Sequence, residues 1–197
     1  MGCFMKIVGI TGSIGCGKTY LANIVKKLGF AVYNPDEWVR GLYKKKEVLS
    51  CVRNEFPEVF DENGVFYKRK LRNIVFNDRL KLKKLELIFH PLLKKKLKKI
   101  IHKYAENEDI LFLDVALLYE MNWQKYCDYV IMADVDDHIQ MSRVMQRDNI
   151  TAEDFKKIIS MQNDKNYTRN KADYVIRTNL PYGVNKVQLI KFIQEIL

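Results

Sequence analysis

One eight-residue stretch limits what this chain can fold into more than any other. Residues 12–19 read Gly-Ser-Ile-Gly-Cys-Gly-Lys-Thr, which fits the pattern G-x-x-x-x-G-K-[ST]. Its glycines let the backbone curl until consecutive N–H groups converge, a concavity suited to phosphate oxygens. Such a loop needs a strand before it and a helix after it, because the helix N-terminus faces the same anion. Residues 6–11 are almost wholly apolar, as expected of a strand buried on both faces of a parallel sheet. Leu21, Ile24, Val25 and Leu28 then recur at helical spacing, and Gly29 ends the run. The loop implies a nucleoside triphosphate cradled by Gly12, Ser13, Ile14, Gly15, Cys16 and Gly17. Lys18 reaches the terminal phosphates, and Thr19 is placed to hold Mg²⁺.

The rest of the chain alternates in the same way. Residues 30–33, 109–114, 129–133 and 172–176 are short apolar runs that read as strands. Residues 137–147, 151–161 and 184–197 read as helices, the second opened by the capping box Thr151-Ala-Glu-Asp154. Between residues 36 and 104 only helical patterns occur, with a turn at Asp61-Glu-Asn-Gly64. Leu93, Leu97, Ile100, Ile101 and Tyr104 predict a helix over 91–104 with Pro91 in its first turn. Residues 162–171 are polar and basic and read as a mobile loop. The expected fold is α/β: a doubly wound parallel sheet of P-loop kinase type, with a helical substrate-binding insertion and a lid. The expected division is a core of residues 5–36, 108–142 and 172–197, an insertion at 37–107 and a lid at 143–171.

Composition narrows the class. The chain has 197 residues and a net charge of +10, which suits an anionic partner: nucleic acid, a membrane surface or a phosphorylated small molecule. The lysines can equally be spread over solvated surface. Four cysteines, Cys3, Cys16, Cys51 and Cys127, form no CxxC pair, which fits a reducing, cytoplasmic setting. No apolar run is long enough to span a membrane. No guanine-reading Asn-Lys-x-Asp follows a buried strand. A chain of this length with a helical insertion suits a small-molecule kinase.

Several residues outside the loop are candidates. Asp36, just past the second strand, either deprotonates an acceptor hydroxyl or caps the next helix. Arg143 and Arg147 share a helix face and either clamp a transferring phosphoryl group or pair with Asp137 or Asp148. Asp114 ends a buried strand, where it can assist a metal ion or close a turn. Residues 79–103 hold ten Lys or Arg against Glu86 alone, and most of these lysines read as the solvated face of a helix. Cys16 lies beside helix N-terminal amides, where a thiol pKa is expected to fall.

Taken in order, several segments resemble the dephospho-CoA kinase family. The loop is similar to the family's TGGIGSGKS. "VYNPDEWVR" resembles its strand ending in Asp-Ala-Asp. "GVFYKRKLRNIVF", "LELIFHPLL", "LDVALLYE", "QMSRVMQRD" and "ADYVI" resemble further family elements. The resemblance implies ATP-dependent phosphorylation of the ribose 3′-hydroxyl of dephospho-CoA, the last step of coenzyme A synthesis. It implies Asp36, Lys18 and Arg147 as catalytic, and Arg143 and Arg147 as ATP contacts. Arg69, Arg72 and His90, with Asp36, become acceptor contacts. The Mg²⁺ site expected from the loop and strand residues themselves is Thr19, with Asp114. The expected partners are ATP and dephospho-CoA, without nucleic acid or membrane, in a monomer or weak homo-oligomer.

The sequence also departs from the family pattern. Ser13 stands for a glycine, which is tolerated if its φ is negative. Cys16 stands for serine, Ala116 for proline, and Asn34 for the first aspartate, leaving Asp36 alone for base work. After "ADYVI" the chain reads Arg177-Thr-Asn-Leu180 in place of the family's ending, so adenine contacts there stay open. The alternatives are a kinase for another small acceptor and a P-loop nucleic-acid-binding NTPase.

Overall fold

Residues 6–11 are apolar because they form the middle of a sheet. In the structure, a computed structural model that describes residues 5–120 and 122–197, strand β1 is Lys6–Thr11. The side chains of Asp36, Glu37, Val39, Arg40, Phe76, Asn77 and Arg79 lie outside that description. The other strands are β2 (Ala31–Tyr33), β3 (Ile110–Asp114), β4 (Tyr129–Asp134) and β5 (Tyr174–Arg177). All pair in parallel, in the order β2-β3-β1-β4-β5. Strand β1 therefore has β3 on one side and β4 on the other. Their carboxyl ends face one crevice, the place where doubly wound sheets bind ligands.

The chain divides into two units, residues 1–34 with 101–197, and residues 35–100. In the first, helices α1 (Lys18–Lys27) and α9 (Tyr182–Ile196) cover one face of the sheet. Val8, Ile10, Phe112 and Ile131 meet Leu21, Ile24, Val25, Leu189 and Phe192 there, all buried. On the other face the backbone of β1 is approached closely. A Cβ on Gly9 would stand 2.5 Å from Leu118 Cδ1, so a larger residue there would require that leucine to shift.

Helices α2 (Pro35–Leu42), α3 (Lys46–Glu55), α4 (Lys68–Asn77) and α5 (Arg79–Tyr104) form the second unit, α5 running on into the first. Its core holds Leu42, Val48, Val52, Phe56, Leu71, Leu93 and Leu97. Tyr43 stacks on Phe66 at 5.4 Å and tilts against Phe89 at 5.1 Å. Asp61 closes the turn at residues 61–64: the N–H of Gly64 donates to its carbonyl (2.9 Å), and Gly64 takes φ 82°.

Two expectations are corrected. Pro91 lies inside α5, not at a first turn, because the helix begins twelve residues earlier. Pro91 has no N–H to give Leu87, whose position is 65% exposed, so water can serve that carbonyl. Apolar residues on both sides of Pro91, Leu85 and Phe89 before it and Leu93 and Leu97 after it, keep one buried stripe going. Residues 162–171 are also not a loop throughout. Lys165–Lys171 is helix α8, because the Asp164 carboxylate accepts from the N–H groups of Asn166 (2.8 Å) and Tyr167 (3.1 Å). Its basic residues are held by the aspartates at the end of β4, not by an apolar stripe. The remaining helices are α6 (Asp137–Asp148) and α7 (Ala152–Ser160), the latter with both halves of the Thr151–Asp154 capping box formed.

Candidate active site

The phosphate loop starts where β1 ends. Gly12, Gly15 and Gly17 have φ of 153°, 77° and 88°, and each presses on a neighbour. A Cβ would stand 2.7 Å from Ala133 O at Gly12, 2.5 Å from Val144 Cγ2 at Gly15 and 2.7 Å from Thr178 Oγ1 at Gly17. The pattern's glycines are thus required by φ and by space. Ser13 is not among the described non-glycine residues with positive φ, which are Asn122 and Asn149, so its side chain is accommodated.

Loop residues other than glycine are tied down by side chains. The Ser13 hydroxyl donates to Gln162 Oε1 (2.5 Å), and the Ile14 N–H donates to the same oxygen (3.0 Å). Gln140 Nε2 donates to Ile14 O (2.7 Å) and Ser13 Oγ (3.2 Å). The Thr178 hydroxyl donates to Cys16 O (2.7 Å), while Arg143 donates to Thr178 Oγ1 (3.0 Å) and to its carbonyl (3.2 Å). Arg143 thus braces the loop through Thr178.

At the floor, Lys18 pairs with Asp114, which is 3% exposed and also accepts from Asn34 Nδ2 (2.7 Å). The register explains the meeting: Asp114 lies opposite Ile10, two residues before the loop. Lys18 opens α1, and Thr19 follows it, exposed. Asn34, which stands in the place of the family's first aspartate, therefore orients Asp114.

A second charged cluster sits at the end of β4. Asp134, 1% exposed, pairs with Arg169 (2.8 Å), Lys165 (3.3 Å) and Arg177 (3.9 Å). Lys165 also donates to Asp137 (2.8 Å), to Gln140 Oε1 (3.2 Å) and to the carbonyl of Val135. Burial works against the charge on Lys165, but the Asp137 bond and the nearby acids hold its pKa above the usual lysine value. The Lys165 bond in turn lowers that of Asp137.

Cys16 overturns an expectation. It is fully buried, and burial pushes its pKa up to about 11, the reverse of an activated thiol.

The other candidates are distributed as follows. Arg147 is on α6, 60% exposed, and donates twice to its neighbour Asp148 (2.7 and 2.9 Å). Asp36 lies in the first turn of α2, which begins at Pro35, and its side chain is outside the described residues. Arg69 and Arg72 are exposed on α4, and His90 is half-buried on α5, in the second unit. That unit carries a cavity of about 530 Å³ between α2, α3 and α5, with Leu42, Val48, Ile88 and Leu92 as apolar wall. Lys45, Lys95, Lys96 and Lys99 line it too, so four residues of the lysine-rich stretches share one concave surface.

Sequence reading missed Gln162 and Lys165, which carry no motif of their own, and gave Gln140 and Thr178 no role. Gln140 was visible only as the first residue of "QMSRVMQRD".

Comparison with known proteins agrees with this geometry. The family model for dephospho-CoA kinase matches residues 6–181. A Bartonella henselae dephospho-CoA kinase is 37% identical over 194 residues, 98% of this chain and 99% of that one. Among solved structures, a Thermus thermophilus protein superposes with a TM-score of 0.87 at 24% identity, covering 98% of both chains. A dephospho-CoA kinase from Campylobacter jejuni superposes with a TM-score of 0.67 at 26% identity, covering 96% of both. A glycine-fixed loop of the G-x-x-x-x-G-K-[ST] pattern, a lysine paired at its base and a family match across nearly the whole chain lead to one conclusion: this chain belongs to the dephospho-CoA kinase family.

Proposed function

We infer that the chain moves the γ-phosphoryl group of ATP to the ribose 3′-hydroxyl of dephospho-CoA, giving CoA and ADP. The observation that carries this reading is the Lys18–Asp114 pair beneath a braced phosphate loop, in a chain of this family. In the proposed reaction the 3′-oxygen attacks the γ-phosphorus in line, the bond to the β–γ bridging oxygen breaks, and ADP leaves. Asp36 accepts the hydroxyl proton. Loop amides and Lys18 hold the β and γ phosphates, and Arg147 turns from Asp148 to the transferring group as a lid over 143–171 closes. Residues 5–36, 108–142 and 172–197 serve as core, and 37–107 as the acceptor-side insertion. The cavity lysines offer the acceptor's pyrophosphate an anion site, with Arg69, Arg72 and His90 as further contacts.

The residues present fit Mg²⁺. Thr19 and Asp114 offer hard oxygen donors, and no group of three His, Cys, Asp or Glu gathers among the described residues to cage a metal. A hydroxyl and a carboxylate beside phosphates suit an ion that keeps most of its waters. Bound there, Mg²⁺ would spread the negative charge of the phosphates. No helix among the described residues is long and apolar enough to cross a membrane. We read the protein as cytoplasmic, acting as a monomer or weak homo-oligomer on small molecules and not on nucleic acid.

The test is ADP release with dephospho-CoA, adenosine monophosphate, shikimate or RNA supplied separately. Only dephospho-CoA should support turnover, and RNA stimulation would point to a nucleic-acid-dependent NTPase instead. Asp36→Asn should lower kcat at least about a hundredfold, as loss of a general base does, and leave ATP affinity unchanged. Near-normal turnover would remove Asp36 from the mechanism.

A further inference from the structure

The Ile14 peptide group, at the crest of the phosphate loop, is gripped from both ends by side chains. Gln162 Oε1 takes its N–H (3.0 Å), and Gln140 Nε2 gives to its carbonyl (2.7 Å). The Ser13 hydroxyl links the two amides, donating to Gln162 (2.5 Å) and accepting from Gln140 (3.2 Å). Neither amide can turn over without loss. Lys165 donates to Gln140 Oε1 (3.2 Å), so Nε2 must face the loop. Gln162 faces two donors, so its oxygen must face them.

The grip joins elements far apart in sequence. Gln140 is on α6, whereas Gln162 lies between α7 and α8. The next residue is fixed as well, since Asn163 N–H donates to Glu120 (2.8 Å). Lys165, three residues on, is locked to Asp134 and Asp137. Gln162 thus lies beside tethered residues and reaches back to a loop 149 positions earlier.

We propose that Gln162 is a positioning residue for ATP: with Gln140 and Ser13 it holds the loop in its phosphate-binding shape and so sets nucleotide affinity. The proposal rests on the loop binding ATP but not on which acceptor is used. A loop pre-shaped for its ligand does not have to be ordered when the ligand binds, and that saving appears as affinity. The hydroxyl of Ser13, where the family pattern has glycine, supplies one of the bonds.

The test uses the full-length protein and direct binding of a non-hydrolysable ATP analogue. Gln162→Met keeps the shape of the side chain and removes the acceptor. It should weaken analogue binding about tenfold, the scale of one or two lost hydrogen bonds. The KM for dephospho-CoA should stay within about twofold, and the thermal midpoint without nucleotide should stay close to wild type. Ser13→Ala should weaken binding about threefold alone. It should add less in the Gln162→Met background than it does alone, because one of its two bonds is already gone and only the one from Gln140 remains. If Gln162→Met fails to fold, Ser13→Ala carries the test by itself.

Unchanged affinity in either variant overturns the proposal. Tighter binding overturns it too, because Gln162 would then be competing with phosphate for the loop. A lowered thermal midpoint with unaltered affinity would make the contact structural only. If acceptor turnover fails while these binding results hold, the acceptor assignment is wrong and the proposal stands.

Discussion

If both hold anions as proposed, the loop at the end of β1 and the cavity in the helical unit do so by opposite constructions. The loop uses backbone amides fixed by glycine geometry, with one lysine paired to a buried carboxylate. The cavity uses four long lysine side chains on an apolar wall, with Glu47 as its one lining acid among the described residues. The loop admits no side chain at Gly12, Gly15 or Gly17, whereas a rim of flexible charges tolerates most substitutions. The first suits an invariant ligand such as a triphosphate and the second a long, flexible one.

The largest effect should come from Lys18. Replacing it with Met removes the cation proposed to meet the terminal phosphates, and kcat/KM should fall at least about a thousandfold. It also strands Asp114, 3% exposed, with Asn34 Nδ2 still donating to it. Breaking a buried pair from one side costs about 3 kcal/mol, and urea unfolding would show it. Asp114→Asn in the same chain removes the stranded charge, so stability should return while activity does not. If Lys18→Met were as stable as wild type, the pair would have no structural weight.

The cavity should respond more gently. Lys95→Glu with Lys99→Glu reverses two charges on the rim of α5. The KM for dephospho-CoA should rise about fivefold at low salt and less at high salt, as screening predicts for exposed charges. ATP affinity and the unfolding midpoint should not move. An equal rise in the KM for ATP would erase the contrast between the two regions.

These two regions were also unequally legible in the sequence. Glycine, lysine and threonine at fixed spacing announced the loop, because a backbone geometry restricts residue type position by position. The strands are legible because each is an apolar run of four to six residues. Gln162 was invisible, since a glutamine 149 positions from Ser13 has no local signal and its partner is set by tertiary packing. The cavity was invisible for a related reason. Lys45, Lys95, Lys96 and Lys99 look like any solvated face until α2 and α3 close over α5. Helix α8 reads as a loop because it is polar all round; the Asp164 cap and the buried Asp134 that pairs with Lys165 and Arg169 hold it.

The smallest predicted effect compares one cysteine from each region. Cys16 is buried in the loop with its pKa pushed up to about 11, and Cys51 is exposed on the cavity wall. Iodoacetamide at pH 8 should label Cys51 rapidly and Cys16 only on the timescale of unfolding, as read by peptide mass spectrometry. The shift has a consequence for stability. A folded-state pKa above the unfolded value of about 9 means that unfolding releases a proton between those values. Stability from this thiol is therefore complete below about pH 9 and is lost as pH rises toward 11. Cys127, raised by burial to about 12, acts in the same direction. The thermal midpoint should be flat to about pH 8.5 and fall beyond it. Cys16→Ser, which restores the family's residue, should make that fall shallower and leave ATP affinity unchanged. A fall of unaltered slope would mean that Cys16 ionises as easily in the folded chain as in the unfolded one. The loop would then be wetter at its base than its packing implies.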